Sequence, residues 1–567
     1  MVSITAVLVL SGIGLGAVPT AEFITAQPVW LEGRETEMNV YAGFRAVVDA
    51  PNTEPVMVRI AASTLYRLYV NGEFVGHGPA RGPHGYYRVD EWQTLPWREE
   101  GKNVVAIEVA GYNANSFYVL DQPSFLQAEV AAGENVLAAT GDEEHPFTGF
   151  PLPERVQKVQ RYSFQRPFME VWRIAPGCDA WRVDPEQSPD AASLAVVESK
   201  QLLPRGVPYP CFDIQKIGEH VATGTFEEGK PKNRFRDRSL MNIGPELKGY
   251  PKDELELVAS EIIEEAITNE ITPVGTKVST DTLFPLKAGT FHILDLGTNL
   301  TGFPRLHVEC EAPTRLAVTF DEMLTKDDVD WRRLSCVNVL LFDLEPGVYN
   351  LEGFEPNTMR YMKVMALSGN CTVSNVGLRL YEHPDMMRAT FACDSEPLVR
   401  IFDAGRTTFA QNTVDIPMDC PHRERAGWLC DSYFTSRSEF VLTGRTDVER
   451  NFLENYLLPE SFAHLPEGML PMCYPADHYD GVFIPNWSLW FVLELGEFAA
   501  RSGDADFVAA FKPRVEGLFK YFSGLENEDG LLENLESWVF IEWSEANQFT
   551  QDVNYPSNML YAAALDT

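Results

Sequence analysis

The sequence predicts a multidomain protein with two β-sandwich domains followed by a helical domain. The chain of 567 residues is too long for a single hydrophobic core. Short alternating apolar runs, broken by Gly, Pro and Asn, prevail up to about residue 385 and are typical of antiparallel β structure. From about residue 395 the hydrophobic period changes from two to 3.6, which indicates helices.

Composition and charge narrow the classes of partner. With 45% hydrophobic and 11% aromatic residues, the chain is expected to be globular. A formal net charge of −36 disfavours nucleic acid, because binding phosphates requires clustered Lys and Arg, and an acidic surface is repelled by anionic membranes. We therefore expect no nucleic-acid partner and no membrane partner, whereas a neutral substrate such as a sugar meets neither obstacle.

The nine cysteines form no CxxC pairs, and their odd number predicts mostly reduced thiols and no metal site. Cys310 and Cys393 lie in alternating apolar runs and are predicted to be small buried residues. No cofactor is expected.

Residues 1–25 contain an apolar stretch that resembles the core of a secretory signal, but no Lys or Arg precedes that stretch. They are therefore either a leader or a strand-forming segment, and cytoplasmic and secreted locations both remain open.

The first predicted sandwich spans residues 26–225. Its clearest unit is residues 66–75, in which two alternating runs flank Asn71-Gly72, the strongest short-range signal for a hairpin. Residues 104–109 follow a turn and predict a further strand of the same sandwich.

Residues 226–257 lack a clean hydrophobic period and predict a linker or long loop. The second predicted sandwich follows at residues 258–385. It contains the alternating segment 291–302, in which Asn299 and Gly302 are natural turn residues.

The helical domain is predicted over residues 386–567. Leu398, Ile401, Phe402 and Phe409 can share one helix face. Residues 487–498 and 507–522 predict the two clearest helices, with a turn at 502–504 between them.

The segment 415–432, DIPMDCPHRERAGWLCDS, brings together four carboxylates, two arginines, a histidine and a tryptophan around Pro and Gly. This mixture is poor helix material and poor core, so it suits a rigid pocket wall. The alternative is a solvated loop with internal salt bridges, which is the commoner origin of such clusters. Trp428 and the Cys420-Pro421 step weigh against that alternative. Paired carboxylates are what glycoside cleavage requires, one as acid and one to activate water or attack the sugar.

This segment resembles the signature of bacterial α-L-rhamnosidases of glycoside hydrolase family 78. Segments on both sides are also similar to that family: LYVNGEFVGHGPARG, LDLGTNLTG, FEPNTMRYMKV, IPNWSLWFVLELGEF and WVFIEWSEANQ. The resemblance implies an (α/α)6 helical barrel and release of terminal α-L-rhamnose from an oligosaccharide or glycoside, with inversion of configuration.

When the family's site residues are matched to this sequence by position, the resemblance implies that Glu424 is the general acid. It implies that Asp419 and Asp431 bind the sugar and that Arg423 and Trp428 line the same pocket. Two later residues that the resemblance also assigns to the substrate pocket are Glu542 and Trp543. Glu542 stands where relatives often carry Asp, so its side chain is one methylene longer.

The family's general base lies far beyond the acid, and no residue of this sequence matches it. A closed ring of twelve helices needs about 300 or more residues, more than follow the change of period. We therefore expect an incomplete (α/α)6 barrel, a missing base, and a C-terminally truncated chain that is inactive or poorly soluble alone. Two alternatives stay open: a glycosidase of the same barrel acting on another sugar, and a non-catalytic carbohydrate-binding protein or inactive fragment.

Overall fold

The computed structural model describes residues 20–49, 55–93, 95–187, 189–279, 282–385, 388–477, 481–545, 547 and 552–567. Residues 1–19 of the predicted leader or strand segment lie outside this range. The N-terminal part is built of strands and the C-terminal part of helices, in the order that the change of hydrophobic period predicts.

Fifteen strands precede residue 229 in the described chain: β1 (Val29–Leu31), β2 (Val40–Asp49), β3 (Val56–Ser63), β4 (Leu65–Val70), β5 (Glu73–Gly78), β6 (Tyr86–Trp92), β7 (Lys102–Gly111), β8 (Phe125–Ala132), β9 (Asn135–Ala139), β10 (Thr148–Pro151), β11 (Glu170–Ile174), β12 (Leu194–Val196), β13 (Gln201–Pro204), β14 (Ile214–Lys216) and β15 (Glu219–Glu228). Two short helices, α1 (Arg238–Met241) and α2 (Ala259–Glu265), follow them.

The later strands are β16 (Ala266–Lys277), β17 (Phe284–Lys287), β18 (Thr290–Cys310), β19 (Thr314–Asp321), β20 (Leu324–Thr325), β21 (Asp328–Val329), β22 (Val339–Leu344), β23 (Gly347–Glu352), β24 (Asn357–Ser368) and β25 (Asn370–Leu380). The helical part comprises α3 (Glu396–Asn412), α4 (Asp431–Thr443), α5 (Asp447–Leu457), α6 (Trp487–Ser502), α7 (Ala505–Ala509), α8 (Lys512–Ser523) and α9 (Tyr555–Asp566).

The first β region consists of two mainly antiparallel sheets that share one apolar core. One sheet has the strand order β12-β1-β8-β3-β6-β13, with β9 on β8, and the other has the order β10-β2-β7-β4-β5. Trp30 and Phe44, from opposite sheets, lie in the same buried cluster. The predicted hairpin is confirmed as β4 and β5, because Asn71 and Gly72 both have positive φ, as a two-residue hairpin turn requires.

The second β region is one continuous network of eleven strands. The long strand β18 pairs with β15, β23, β24 and β25 along its length. The interpretation of Asn299 and Gly302 as turn residues was wrong, because β18 runs through both. Its pairing with β24 shifts register between Asp295 and Leu300 instead, so the extra residues are absorbed without a turn.

Hydrogen-bonded pairing crosses the predicted domain boundaries. Strands β11 and β15 precede residue 229 but pair with β22 and β18 of the second region. The stretch 226–257, predicted as a linker or loop, contains the end of β15 and the short helix α1, which Asp237 caps through its side chain. The division at residues 225 and 258 stays a proposal about domain organisation.

The clearest predicted helix, 487–498, is confirmed as α6, which ends at Gly503 with a positive φ. The predicted helix 507–522 was wrong as a single element, because it is divided into α7 and α8. Pro513 lies in the first turn of α8, where its missing N–H costs nothing, and it prevents continuation from α7. The predicted apolar face of α3 is only partly covered, since Ile401 is 67% exposed.

All nine cysteines are free thiols, and Cys310 is buried as predicted. Cys393 is exposed, contrary to the prediction, because it lies in an irregular segment before α3 rather than in a strand. Among the described residues, no helix combines the length and apolar character needed to cross a membrane.

Candidate functional site

The motif predicted to carry the chemistry is a folded loop between α3 and α4. Its backbone closes on itself where Asp419 N donates to Ala426 O at 3.0 Å. It is also tied to the segment before α6, because Tyr474 N donates to Gly427 O and Leu429 N to Met472 O, each at 3.0 Å. These contacts make the motif part of the rigid interior of the helical region.

Gly427 allows this close packing. A Cβ atom at this position would lie 2.5 Å from Tyr474 O and 2.7 Å from Ile416 Cδ1. Only a residue without a side chain lets the two backbone segments approach so closely. The glycine of the motif is therefore required by packing.

Glu424 is buried, and both of its carboxylate oxygens accept hydrogen bonds from the motif. Trp428 Nε1 donates to Oε2 at 2.8 Å, and Arg423 Nη2 donates to Oε1 at 2.5 Å. Glu424 is 5% exposed and Trp428 is 9% exposed. The carboxylate is thus held in one orientation by an indole and a guanidinium.

Two further carboxyls of the predicted site interact electrostatically with Glu424. Burial and the charge of Glu424 together raise the pKa of Asp419 to about 7. Burial raises the pKa of Asp431, the first residue of α4, to about 6, and the charge of Glu424 adds to the effect. Like charges in a poorly solvated site resist simultaneous ionisation. Both Asp419 and Asp431 therefore hold a proton more strongly than a solvated aspartate does.

Arg425 and His422 face away from Glu424, toward the β regions. The φ of Arg425 is +55°, and its Nη1 donates to Pro421 O at 3.0 Å while its guanidinium lies over Tyr118 and Tyr381. His422 is buried, and burial lowers its pKa to about 3, so it is neutral. The two arginines of the segment, Arg423 and Arg425, therefore have different surroundings.

The first sandwich supports the motif through buried side chains that the sequence did not single out. Arg81 makes a bidentate ion pair with Asp415, at 2.6 and 2.9 Å, and its Nη1 donates to Arg425 O at 2.6 Å. Arg166 Nη1 donates to His422 O at 3.1 Å. Arg81 lies in the HGPARG stretch that resembles the family. Its partner Asp415 is 334 positions away, so the local sequence could not predict the ion pair.

Aromatic rings extend from the motif in two directions. On one side Trp428 packs edge-on against Phe117 of the first sandwich, with centroids 5.5 Å apart. On the other side it packs against Trp487 at 5.6 Å, and Trp487 packs against Phe540 at 5.2 Å. The pocket wall is therefore aromatic on both flanks of Glu424.

The late pair Glu542 and Trp543 lies at the outer end of these rings. Trp543 packs against Phe540 at 4.9 Å and is 84% exposed, and Glu542 is also exposed. Within the described part of the chain, no hydrogen bond or ion pair joins the Glu542 side chain to the motif. The structure thus brings Asp419, Arg423, Glu424, Trp428 and Asp431 together and leaves Glu542 and Trp543 at the rim.

A comparison with known protein families matches the helical region. Residues 386–567 match the family described as the bacterial alpha-L-rhamnosidase six-hairpin glycosidase domain. The helical region is therefore similar to that domain. The family resemblance predicted from DCPHRERAGW is thereby confirmed.

Curated relatives are similar to this chain over part of their length. The chain is 21% identical over 281 residues to an alpha-L-rhamnosidase of Formosa agariphila, covering 44% of this chain and 28% of that protein. It is 25% identical over 267 residues to an alpha-L-rhamnosidase of Streptomyces avermitilis, covering 44% of this chain and 24% of that protein. The matches therefore span about a quarter of these relatives.

Solved structures share the fold of nearly the whole chain. The GH78 family rhamnosidase of Bacillus sp. GL1 superposes with a TM-score of 0.77 at 17% identity, covering 96% of this chain and 74% of that one. The native rhamnosidase of Aspergillus terreus superposes with a TM-score of 0.64 at 15% identity, covering 95% and 58%. The sheet-rich N-terminal region followed by a six-hairpin helical domain is thus the fold of a GH78 rhamnosidase.

Proposed function

We propose that this protein hydrolyses α-L-rhamnosides and that Glu424 donates the proton to the leaving oxygen. The observation that carries the proposal is the placement of its carboxyl group. It is held by Trp428 Nε1 and Arg423 Nη2 in a buried site that contains two more carboxyls. A positioned acid of this kind is what departure of a glycosidic oxygen requires.

The surrounding charges are suited to an acid that gives up a proton. Burial, together with the charge of Glu424, raises the pKa of Asp419 to about 7 and that of Asp431 to about 6, so negative charge in this site is disfavoured unless a proton or a cation balances it. Once the proton has passed to the leaving group, Arg423 stands 2.5 Å from the new carboxylate and stabilises its charge. The site is thus matched to an acid that is consumed and regenerated in each turnover.

The sugar is proposed to lie against the same wall. Asp419, Asp431 and Arg423 would hold its hydroxyls, and the ring of Trp428 would shape the apolar side of the pocket. Trp543 offers an exposed aromatic face at the rim, with Glu542 beside it. The substrate class is a glycoside or oligosaccharide with a terminal α-L-rhamnose.

We propose an inverting displacement, in which a second carboxylate about 6.5–9.5 Å from the acid activates water. No residue of this chain is assigned to that role. In a chain without this base, water is not activated. Added azide, which needs no base, would act as the nucleophile instead, and it should accelerate cleavage of an aryl rhamnoside. Rapid cleavage in buffer alone, unaffected by azide, would contradict the missing base.

We infer that the described helices belong to a larger six-hairpin barrel. Val441 of α4 and Met559 of α9 are 73% and 75% exposed, so apolar side chains face solvent on the earlier and later helices alike. A groove of about 520 Å³ between α3 and α4 is lined by Phe402, Phe409 and Phe434. Apolar faces of this kind are normally covered by neighbouring helices.

The decisive experiment is Glu424→Gln, measured with azide present on an aryl rhamnoside and on an alkyl rhamnoside. The amide keeps the size of the side chain but cannot supply a proton. We expect a rate loss of at least about a hundredfold on the alkyl substrate, whose leaving group needs protonation, and a much smaller loss on the aryl substrate. Glu460→Gln, at an exposed position, is the control. Equal small losses on both substrates would refute Glu424 as the acid.

A further inference from the structure

A cleft of about 390 Å³ lies beside the candidate site, at the junction of the two β regions with the helical region. Its walls come from the loop after β7, from the turn at Phe164, from α1 and the residues after it, and from Asp477. This volume is in the range of small-molecule sites in proteins.

The cleft continues the wall that holds the acid. Trp428, which donates to Glu424, packs against Phe117, and Phe117 packs against Phe164 with centroids 6.2 Å apart. Both phenylalanines line the cleft. A molecule whose sugar ring lies against Trp428 would therefore extend along these rings into the cleft.

Buried polar groups hold the walls of the cleft in place. Arg161, 1% exposed, donates to Lys248 O at 2.6 Å, to Asn115 O at 2.9 Å and to Phe164 O at 3.3 Å. The Asn115 side chain donates to Glu246 O and accepts from Lys248 N, each at 2.8 Å. These bonds join three separate segments, so the cleft is a built feature of the fold.

Arg238 offers the recognition group. Its guanidinium carbon lies 3.8 Å from the centre of the Phe164 ring, and among the described residues its N–H groups make no hydrogen bond and no ion pair. Arg238, Asn242 and Glu246 are exposed and provide both donors and acceptors. Because Glu246 and Asp477 offset the charge of Arg238, the cleft suits an uncharged, hydroxyl-bearing group.

We propose that this cleft binds the leaving-group side of the substrate as a neutral sugar residue, with Arg238 determining specificity. This inference rests on the proposed function, because it assumes that rhamnose lies at Glu424. The sugar ring would stack on Phe117 and Phe164, and Arg238 would donate to its hydroxyls. Contacts to the leaving group from the β regions would then select among rhamnosides that share the same terminal sugar.

The test uses calorimetry with the Glu424→Gln chain and two probes, rhamnose and a thio-linked rhamnosyl-glucose. We expect the disaccharide to bind about tenfold more tightly than rhamnose. Arg238→Leu should remove most of that advantage and leave rhamnose affinity unchanged. Arg236→Leu, an exposed arginine two positions away that does not line the cleft, is the matched control and should keep it.

The outcomes separate the two proposals. Binding of rhamnose without any gain from the glucosyl residue, or a gain that Arg238→Leu leaves intact, would overturn the subsite and leave the rhamnoside site standing. Failure of both probes to bind would overturn the proposed function itself. A rhamnosyl-uronate that binds more tightly than the neutral disaccharide, with the gain lost in Arg238→Leu, would overturn the assignment of an uncharged sugar.

Discussion

The indole nitrogen of Trp428 donates a hydrogen bond of 2.8 Å to Glu424 Oε2, while the same ring packs against Phe117 of the first sandwich. One side chain therefore couples the orientation of the proposed acid to a domain more than 300 positions away in the sequence. Arg81 and Arg166 reach the motif from the same side. The first sandwich thus forms part of the wall of the site.

Trp428→Phe tests the hydrogen bond separately from the packing. Phenylalanine keeps an aromatic ring between Phe117 and Trp487 but has no donor for Glu424. Because a hydrogen bond to a charged group contributes about 1.5–3 kcal/mol, we expect kcat/KM on an alkyl rhamnoside, measured with azide present, to fall by about ten- to a hundredfold. Trp490→Phe is the control, since Trp490 packs on Tyr433 and Phe434 outside the site. Equal activity of the two variants would contradict an oriented acid.

Glu494→Gln should change how stability depends on pH. Glu494 is fully buried, and burial raises its pKa from 4.5 to about 8 while Ser432 and Ser436 donate to it. Its protonated form stabilises the folded state fully below about pH 4.5, and this contribution is lost as pH rises through about 8. The glutamine variant should therefore have a higher Tm than the parent at pH 8 and little or no advantage at pH 5.

Glu497→Gln provides the opposite case on the same helix. The hydrogen bond from Arg437 is the main cause that lowers the pKa of Glu497 to about 2. Its ionised form therefore stabilises the fold above about pH 4.5, and the contribution is lost as pH falls through about 2. This variant should lose Tm at pH 8. Parallel Tm profiles for both variants would show that neither carboxyl titrates as inferred.

Gly427→Ala should destabilise the motif by about 1–3 kcal/mol, because the added methyl group would overlap Tyr474 O and Ile416 Cδ1. Gly405→Ala in α3 is the matched control. A Cβ at Gly405 meets no atom within 4 Å, and alanine favours the helix by about 1 kcal/mol. Denaturant unfolding should give shifts of opposite sign. A neutral Gly427→Ala would contradict the close approach.

Arg81→Met should cost about 3–5 kcal/mol of folding free energy, because it leaves the buried Asp415 without its cation. Burial alone would raise the pKa of Asp415, but Arg81 lowers it to about 2. Combining Arg81→Met with Asp415→Asn should cost less than the sum of the single changes. Arg34→Met, which breaks an exposed pair with Glu37, should cost less than about 1 kcal/mol. Strict additivity would show that the pair is not coupled.

Ile401→Lys with Val441→Lys tests whether the outer faces of α3 and α4 are uncovered in this chain. Both side chains are mostly exposed, so the charges should raise solubility and lower binding of a hydrophobic dye with little change in Tm. Phe409→Lys, at a buried position of α3, should instead lower Tm. A large loss of Tm in the double variant would indicate that these faces are already packed.

Some features could be predicted because their causes are local. Asn71-Gly72 specifies a tight turn through its own φ preferences. The apolar residues of α6 recur with a period of 3.6, which marks a helix with one buried face. The break at Pro513 was equally local and was missed because the apolar pattern continues across it. The absence of a turn at Asn299 had no local signal, since β18 is extended by partners on both sides.

The amino-acid order alone determined the sequence of β and helical regions, the hairpin turn and the cluster DCPHRERAGW, because each depends on residues close together in the chain. The tertiary structure decided which of those residues share a site. It set Arg423 on Glu424 and turned Arg425 away, placed Trp543 at the rim, and brought Phe117 and Arg81 to the motif. Burial and the proximity of like charges also set the pKa values of Asp419 and Asp431. Both effects act through space, between segments that only folding brings together.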